Sequence, residues 1–377
     1  MKILLCTNFY QSRTVGPAVF AEMMAKIPEY YREHDVKIIT DDAIEATPSV
    51  IKIKTYIPRY LNLIDFVFRN WAYYKNIKKI NKSYNADIIV FSNCMWGILP
   101  CLLLPKHIQV IGLINDYFLL EKRPFKGQKS WFYFYVLRQF QSLAIHFLDK
   151  IIVCSKHLRA RIAAQYPNHW AKVSVLYQGV DMRDIPFLPK TINKETPIKI
   201  LFIKSNIMRG GFDILCKAVA QLTQYIIEIT QIGATEGVEN ERQRCMAFAP
   251  NVRFHHLGLI SQEAVCEALY AHDILCTPSR QEGLGIANIE GLAAGIAVVS
   301  VKEGGIPEVL DYGNNGWLAE TNDPISLAET LKICIEAPPS VFFEKKRNGR
   351  VFVEKKFDTK ILIDQFLDIC SSVVKSP

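Results

Sequence analysis

The feature that constrains this chain most is a regular alternation of short apolar runs with segments of helical periodicity. Twelve such runs, rich in β-branched residues, occupy residues 3–6, 36–39, 51–53, 88–91, 110–114, 151–154 and 173–177, then 198–203, 226–232, 252–256, 274–277 and 296–301. Strands that are apolar on both faces and alternate with helices form parallel sheets that helices cover on both sides. The pattern therefore predicts an α/β fold built from two series of parallel strands.

A polar segment separates the two series. Residues 183–197 carry three prolines, which favour a linker. We predict an N-terminal domain over residues 1–182, a linker over 183–197 and a C-terminal domain over 198–356. Ligands bind at the carboxyl ends of strands in such sheets, so we expect two Rossmann-like domains with parallel sheets facing across a cleft. The amphipathic segment 357–377 either caps the second domain or crosses back to the first, and its pattern leaves both open.

The composition excludes several other classes of protein. Half of the residues are hydrophobic and 22% are charged, which excludes a disordered chain. Ten scattered cysteines without a C-x-x-C pair indicate reduced thiols of a cytoplasmic protein and no zinc site. The uncharged run 88–105 is long enough for a membrane helix, but Asn93, Gly97 and Pro100 interrupt it, so we predict a strand, a turn and a helix there.

Residues 278–295 carry the clearest chemical signal. A buried strand leads into a loop with Gly283 and Gly285, and we expect a helix to start near Leu284. The free amides of its first turn and the positive end of its dipole predict a site for an anion such as a phosphate. The loop is not a dinucleotide fingerprint, because Asn288 stands at the third glycine position and the motif comes late in the chain.

Two carboxylates lie beside this predicted anion site. Glu282 comes just before the helix, and Glu290 lies about two turns into it. A carboxylate is a poor phosphate ligand but accepts hydrogen bonds from hydroxyls, which suits a sugar at one end and a ribose at the other. The alternative is an acidic residue favoured by the helix dipole together with an exposed helical glutamate. The spacing alone leaves both interpretations open.

The order of motifs along the chain resembles that of a known family. Seven residues separate Glu282 from Glu290, and the motifs 304–308 and 311–318 follow. Earlier markers lie at Gly16, 154–155, 179–181 and 251–258. Together they resemble the retaining GT-B glycosyltransferases of the group 1 / family 4 type, with their E-x7-E motif. The resemblance implies the GT-B fold of two Rossmann-like domains.

The resemblance also implies roles for individual residues. It implies that Glu282 holds hydroxyls of the donor sugar and that Glu290 binds the nucleotide ribose. Further donor contacts would come from Gly16 on the phosphates, from the amides of Gly283, Leu284 and Gly285 on the sugar or diphosphate, and from the backbone of Gly258 and Leu259 on the base.

The chain departs from the family pattern on the donor side. The family usually has an arginine and a lysine that neutralise the leaving diphosphate, whereas this chain has Arg209 and Gly210. Lys204, next to Ser205, is the nearest substitute for the missing lysine. Arg209 can hold phosphate oxygens bidentately.

A second departure lies on the acceptor side. The family often has a His-Asp pair there, whereas this chain has Asn115 and Asp116. Asn115 cannot accept a proton at neutral pH, so Asp116 is the remaining candidate for the acceptor base. The alternative is that Asp116 only caps a turn.

The charge that develops in such a reaction points to the residues that would stabilise it. Breaking the bond between a sugar and a nucleotide diphosphate leaves negative charge on the phosphate. The sequence has no D-x-D motif to hold a divalent cation, so we expect Arg209 and the helix start to act without a metal or other cofactor. The resemblance implies retention, with the leaving phosphate helping to deprotonate the acceptor. We expect Glu282, Arg209 and Asp116 to be the catalytic residues.

The resemblance implies a transferase that moves a sugar from a nucleotide-diphosphate donor to a glycan acceptor. The leading interpretation is a lipid-linked acceptor in bacterial surface polysaccharide or lipopolysaccharide synthesis. The first alternative is a transferase with a soluble small-molecule or sugar-phosphate acceptor. The second is a non-catalytic sugar- or lipid-binding protein, and the retained Glu282, Glu290 and Arg209 argue against it.

The charge of the chain is unevenly distributed. Residues 1–190 carry 26 basic and 14 acidic side chains, a net charge of +12, whereas residues 191–377 carry −4. Two acid-free stretches, 66–86 and 122–148, concentrate basic residues beside aromatic ones. This combination predicts docking to an anionic surface, the inner face of the cytoplasmic membrane. The alternative is a core role for the aromatics and a solvated face for the lysines, and without a known nucleic-acid-binding module we expect no nucleic-acid partner.

Overall fold

The computed structural model describes residues 1–10, 16–41, 47–53, 62–116, 120, 131–233, 237–249 and 251–374. The chain forms two compact units: unit 1 is Met1–Gln178 together with the residues from Lys360 onward, and unit 2 is Gly179–Thr359. Each unit is built on a parallel sheet with helices around it. The predicted α/β class with two Rossmann-like domains is confirmed.

In the described part of unit 1, seven strands form a parallel sheet in the order β3-β2-β1-β4-β5-β6-β7. Its strands are β1 (Lys2–Thr7), β2 (Asp35–Thr40), β3 (Val50–Lys52), β4 (Ile88–Phe91), β5 (Gln109–Ile114), β6 (Lys150–Val153) and β7 (Val173–Val175). Its helices before residue 178 are α1 (Gly16–Ala25), α2 (Ile27–Tyr30), α3 (Asn62–Tyr84), α4 (Ile98–Leu103), α5 (Trp131–Phe147) and α6 (Lys156–Gln165), with 3-10 helices at Cys94–Gly97 and Pro167–Lys172. β4 is buried at every position because it lies at the centre of the sheet, covered on both faces.

Among the described residues of unit 2, six strands form a parallel sheet in the order β10-β9-β8-β11-β12-β13. Its strands are β8 (Ile198–Lys204), β9 (Ile227–Gly233), β10 (Val252–Gly258), β11 (Ile274–Thr277), β12 (Ala297–Val301) and β13 (Trp317–Ala319). Its helices are α7 (Ile207–Gly210), α8 (Phe212–Val219), α9 (Val238–Phe248), α10 (Gln262–Ala271), α11 (Ile286–Ala294), α12 (Ile306–Val309), α13 (Pro324–Glu336) and α14 (Pro339–Lys356), with a 3-10 helix at Asp311–Gly313. The strand order reverses between β8 and β11, and ligands bind at such a reversal in open parallel sheets.

The strands agree closely with the sequence pattern. All twelve apolar runs are strands, and their ends differ from the predicted ones by at most two residues. The sequence did not predict β13, since Trp317–Ala319 has three residues and no β-branched side chain. It pairs with β12 at the edge of the sheet.

The uncharged run 88–105 forms β4, a 3-10 helix and α4, in agreement with the predicted strand, turn and helix. Pro100 lies in the first turn of α4, where its missing N–H removes no helical hydrogen bond. No helix in the described part of the chain is long and apolar enough to cross a membrane.

The segment predicted as a linker, residues 183–197, belongs to unit 2 and packs on it. The amide of Leu188 donates to the carbonyl of Ala294 at 3.0 Å. The boundary between the units lies between Gln178 and Gly179, upstream of the predicted one. Prolines and polar residues therefore mark a segment without regular structure here, but not one without tertiary contacts.

The last helix, α15 (Thr359–Val374), contributes to unit 1. Phe366 is fully buried, and its ring meets that of Phe20 edge to face, with 5.7 Å between the centroids. Tyr31 donates a hydrogen bond to the carboxylate of Asp364. Of the two placements that the sequence left open, the helix takes the one on the first unit, because its apolar side completes that unit's core.

We expect Phe366→Ala to lower the free energy of unfolding by about 3 kcal/mol, because it removes a buried ring and leaves a cavity. Urea unfolding followed by tryptophan fluorescence measures this loss. Val374→Ala, on the same helix, is the control: its side chain is 45% exposed, so we expect a change below about 0.5 kcal/mol. Equal losses in the two variants would contradict the described packing of α15.

Candidate functional site

Two neighbouring loops, after β8 and after β11, carry the predicted phosphate- and sugar-binding residues. Asn206 follows β8 and caps the one-turn helix α7, since its Oδ1 accepts a hydrogen bond from the amide of Arg209 at 2.9 Å. Gly211 ends α7 with φ +74°, and a Cβ there would lie 2.1 Å from the carbonyl oxygen of Pro278. A glycine is therefore required where this turn approaches the loop after β11.

The loop after β11 ends where α11 begins. α11 starts at Ile286, slightly later than predicted, because Gly285 has φ +99°, a left-handed conformation outside the helical region. Glu290 consequently lies just over one turn into the helix rather than two. A Cβ at Gly285 would also lie 2.9 Å from Nδ2 of Asn288.

Glu282 and Lys204 form an ion pair, and each side chain is only 19% exposed. Lys204 is the last residue of β8, and Glu282 lies in the loop after β11. A Cβ at Gly210 would lie 2.6 Å from Cγ of Lys204, so the missing side chain at Gly210 leaves the space that the lysine occupies. A lysine from the end of β8 therefore stands beside the position where the family usually has one.

The electrostatic surroundings of Glu282 favour its charged form. Burial raises the pKa of Glu282, but the Lys204 ammonium, the Arg209 guanidinium and the amide of Leu284 together lower the pKa by more. The resulting pKa is below the ordinary value of a glutamate. Glu282 is therefore ionised at neutral pH and can accept hydrogen bonds from hydroxyl groups.

A buried polar network fixes the start of α11 on the sheet. Thr277 donates a hydrogen bond to Oδ1 of Asn288 at 2.7 Å, and Ser300 donates to the carbonyl of Thr277 at 2.7 Å. All three side chains are 1% exposed or less. Sequence reasoning used Asn288 only to exclude a dinucleotide fingerprint; an asparagine within an apolar helix was the signal for this role.

Glu290 lies beside the start of α10. Nε2 of Gln262 donates to Oε1 of Glu290 at 2.7 Å. Gln262 is the first residue of α10 and follows closely after Gly258, the last residue of β10. Leu259, the next residue, is 63% exposed. The predicted ribose residue is therefore linked to the predicted base segment by a glutamine that the sequence did not single out.

Of the predicted residues of the first domain, Asn115 and Asp116 follow the carboxyl end of β5, and Gly16 is the first residue of α1. Nδ2 of Asn115 donates to the carbonyl of Ser92 at 3.0 Å, and its Oδ1 accepts from Nε2 of Gln178 at 2.9 Å. A Cβ at Gly16 would lie 2.6 Å from Oε1 of the same Gln178. The structure thus brings Gly16 and Asn115 to the side chain of Gln178. Asp116, the next residue after Asn115, is half-buried.

The structure groups the predicted residues within each unit. In unit 2, the first group is Lys204, exposed Ser205, Arg209, Glu282 and the backbone of Gly283, Leu284 and Gly285, and the second is Gly258, Leu259 and Glu290. In unit 1 the group is Gly16, Asn115 and Asp116. Across the described ranges, no three His, Cys, Asp or Glu side chains form a group that could hold a metal ion, and the expected metal-free reaction stays a prediction.

Comparisons with known proteins agree with this fold. The family described as "Glycosyl transferases group 1" matches residues 184–348, and "Glycosyltransferase Family 4" matches residues 20–184. An uncharacterized glycosyltransferase of Methanocaldococcus jannaschii is 27% identical over 343 residues, 88% of this chain and 87% of that protein. The putative colanic acid biosynthesis glycosyltransferase WcaL of Escherichia coli is 26% identical over 207 residues, 51% of this chain and 49% of that protein.

Solved structures share the fold. A sucrose-phosphate synthase from Thermosynechococcus elongatus has a TM-score of 0.79 at 17% identity, covering 99% of both chains. HepE of Anabaena, in complex with UDP and glucose, has a TM-score of 0.74 at 18% identity, covering 99% of this chain and 100% of that one. The fold and the two family matches define a glycosyltransferase of the GT-B class. This chain belongs to the group 1 / family 4 glycosyltransferases.

We expect Lys204→Met to destabilise the folded protein by about 3 kcal/mol at pH 7.5, because it leaves the Glu282 carboxylate buried without its main counter-ion. In the wild type the lowered pKa of Glu282 contributes stability that is fully present above the ordinary pKa of a glutamate and is lost as pH falls through the lowered value. In Lys204→Met, burial raises the pKa, so the carboxyl takes up a proton on acidification and the difference from the wild type shrinks towards pH 4.5.

Chemical unfolding between pH 4.5 and 7.5 tests this expectation. The double variant Lys204→Met/Glu282→Gln has no carboxyl at position 282, so its difference from Lys204→Met should follow the titration of Glu282. A destabilisation of Lys204→Met that is the same at all pH values would contradict the described ion pair.

Proposed function

We propose that this protein is a retaining glycosyltransferase that moves a sugar from a nucleotide-diphosphate donor to a glycan acceptor without a metal ion. The observation that carries the proposal is the cluster of Lys204, Arg209 and Glu282 at the carboxyl ends of β8 and β11. An ionised carboxylate beside two cations combines hydroxyl binding with neutralisation of a diphosphate. HepE, which shares the fold, was solved with UDP and glucose, and this supports a nucleotide-sugar donor.

In the proposed donor complex, Glu282 accepts hydrogen bonds from sugar hydroxyls, and the amides of residues 283–285 contact the sugar or the diphosphate. Arg209 offers a planar pair of donors to phosphate oxygens, and Lys204 offers a point charge. The other proposed donor contacts are Glu290 on the ribose, Gly258 and Leu259 on the base, and Gly16 and Ser205 near the phosphates. Because Lys204 is already paired with Glu282, donor binding exchanges partners of an existing ion pair.

The proposed reaction uses this charge arrangement. As the nucleotide diphosphate departs, positive charge develops on the sugar ring and negative charge on the phosphate. Arg209, Lys204 and the first-turn amides of α11 interact more strongly with this growing negative charge than with the intact donor, so they lower the free energy of the transition state. The acceptor hydroxyl, oriented by Asp116, attacks from the same face and gives its proton to the leaving phosphate, so the configuration of the anomeric carbon is retained.

The proposed acceptor is a lipid-linked glycan of surface polysaccharide or lipopolysaccharide synthesis. WcaL, a relative over about half of the chain, is named for colanic acid biosynthesis, which supports this class of acceptor. A soluble small-molecule or sugar-phosphate acceptor is the alternative. Transfer assays with lipid-linked and with soluble acceptors distinguish the two classes.

The surface of α3 and α4 supports a membrane partner. Val67, Phe68 and Trp71 on α3 are 51% to 58% exposed, and Leu102 and Leu103 on α4, which packs against α3, are 52% exposed. Nζ of Lys75 lies 5.1 Å from the centroid of the Trp71 ring. Further exposed lysines along α3 are Lys78, Lys79 and Lys82.

The sequence left two interpretations of the aromatic residues in the basic stretch 66–86, a membrane-docking surface and a core role, and each applies to some of them. Phe66, Tyr73 and Tyr84 are buried, as the core alternative expected, whereas Phe68 and Trp71 are exposed. Of the second basic stretch, residues 122–130 lie outside the described residues. We propose that the exposed apolar end of α3 enters an anionic bilayer while its lysines meet the headgroups, which makes the protein peripheral on the inner face of the cytoplasmic membrane.

We expect Glu282→Gln and Arg209→Ala each to reduce turnover at least about 100-fold, because each removes a charge from the proposed donor site. A thermal-shift screen of nucleotide sugars first identifies the donor, since a ligand at 100 times its Kd stabilises the folded state by about 2.7 kcal/mol. Transfer to lipid-linked and soluble acceptors is then measured. Arg242→Ala is the control, because Arg242 pairs with Glu239 on the exposed surface of α9.

Wild-type rates in both site variants would contradict the proposed site. Transfer to soluble acceptors alone would favour the alternative acceptor class. Donor binding without transfer or hydrolysis would favour the non-catalytic alternative.

We expect the wild type to cosediment with liposomes that contain anionic lipid, and to be released as salt rises, because each cation near the surface contributes about 1 kcal/mol. Phe68→Ser/Trp71→Ser should weaken this binding at low salt. Trp170→Ser is the control, since Trp170 is 54% exposed but lies on the 3-10 helix Pro167–Lys172, outside α3 and α4. Equal binding by the double variant and the control would contradict the proposed surface.

A further inference from the structure

Arg280 joins three separate segments of unit 2. Its Nη1 and Nη2 donate to the two carboxylate oxygens of Asp213 on α8, both at 2.7 Å. Nη1 also donates to the carbonyl of Met208 on α7 at 2.8 Å, and Nε donates to Oδ1 of Asn322, just after β13, at 3.1 Å. These bonds use four of the five N–H groups of the guanidinium, so Arg280 is occupied within the protein.

The backbone of Arg280 makes a second connection. Its amide donates to the carbonyl of Arg209 at 2.8 Å. Gly211, two residues after Arg209, lies against the carbonyl of Pro278, where even a Cβ would not fit. The turn that carries Arg209 and the loop that carries Glu282 are therefore in direct backbone contact.

We infer that Arg280 is a positioning residue that fixes Arg209 relative to Glu282. The inference rests on the proposed function, in which Arg209 stabilises the leaving diphosphate and Glu282 holds the sugar. Moving Arg209 away from Glu282 would break the backbone bond to Arg280 and strain the guanidinium bond to Met208. We call the contacts of Arg280 with Asp213, Met208 and Arg209 the clamp. A displacement of about 1 Å in a catalytic group can reduce the rate about 100-fold, so we expect loss of the clamp to have a large effect.

The chemistry of the clamp requires an arginine. The planar guanidinium holds both oxygens of Asp213 while it reaches the Met208 carbonyl, a geometry that a lysine cannot reproduce. Burial raises the pKa of Asp213, but the hydrogen bonds and charge of Arg280, together with the Lys217 ammonium and a backbone hydrogen bond, lower the pKa by more, so the carboxylate stays ionised. Arg280 has a side chain only 16% exposed, which makes solvent a poor substitute for these partners.

The test compares Arg280→Ala, Arg280→Lys and Asp213→Asn with Arg350→Gln. Arg350 is the matched control: its side chain is also 16% exposed, and it donates to the carbonyls of Ile185 and Ala293. The thermal unfolding midpoint of each variant is measured first. Its kcat and donor KM are then measured at a temperature well below that midpoint. We expect all four variants to unfold more easily.

We expect only the Arg280 and Asp213 variants to lose kcat, by about 10- to 100-fold, while donor KM changes less than about threefold. Guanidinium ion at low millimolar concentration should restore part of the kcat of Arg280→Ala and none of that of Arg350→Gln. Equal kcat losses in Arg280→Ala and Arg350→Gln, without rescue by guanidinium, would show that Arg280 only stabilises the fold and would overturn the inference. Absence of wild-type turnover with every nucleotide sugar would instead overturn the proposed function and the inference with it.

Discussion

The ion pair between Lys204 and Glu282 is the interaction on which the organisation of the candidate site depends. It joins the end of β8 to the loop after β11. β8 and β11 are neighbouring strands at the point where the strand order of the sheet reverses. Two opposite charges that are each mostly buried stabilise one another, whereas either one alone would be costly. The same contact requires the absence of a side chain at Gly210, because a Cβ there would meet Lys204. The glycine at the usual lysine position of the family therefore accompanies a lysine at position 204.

The fold followed from the sequence because its signal is repeated and local. Fully buried parallel strands must be apolar along their whole length, so each appears as a short run such as 88–91 or 274–277. The strand that the pattern missed, Trp317–Ala319, is too short to show any periodicity. The partner of α15 could not be predicted for a different reason: an amphipathic helix shows that it covers an apolar surface, but not which one.

The candidate site was predicted less completely than the fold. Glycines and carboxylates at fixed spacing identified the loop after β11, and the start of its helix was misplaced only because Gly285 adopts a left-handed conformation. The supporting side chains gave no such signal. Gln262 and Gln178 act through partners far away in sequence, at Glu290 and Asn115, and no local pattern predicts a contact between distant residues.

The position of α15 has a consequence for the order in which the protein can fold during synthesis. Unit 2 is one continuous segment, whereas the core of unit 1 includes Phe366, which the ribosome adds after all of unit 2. The described strands of the first sheet therefore emerge long before α15, whose Phe366 packs against Phe20 of α1. Until then Phe20 and its apolar neighbours lack a partner, so unit 1 is a candidate for chaperone binding while unit 2 is being made.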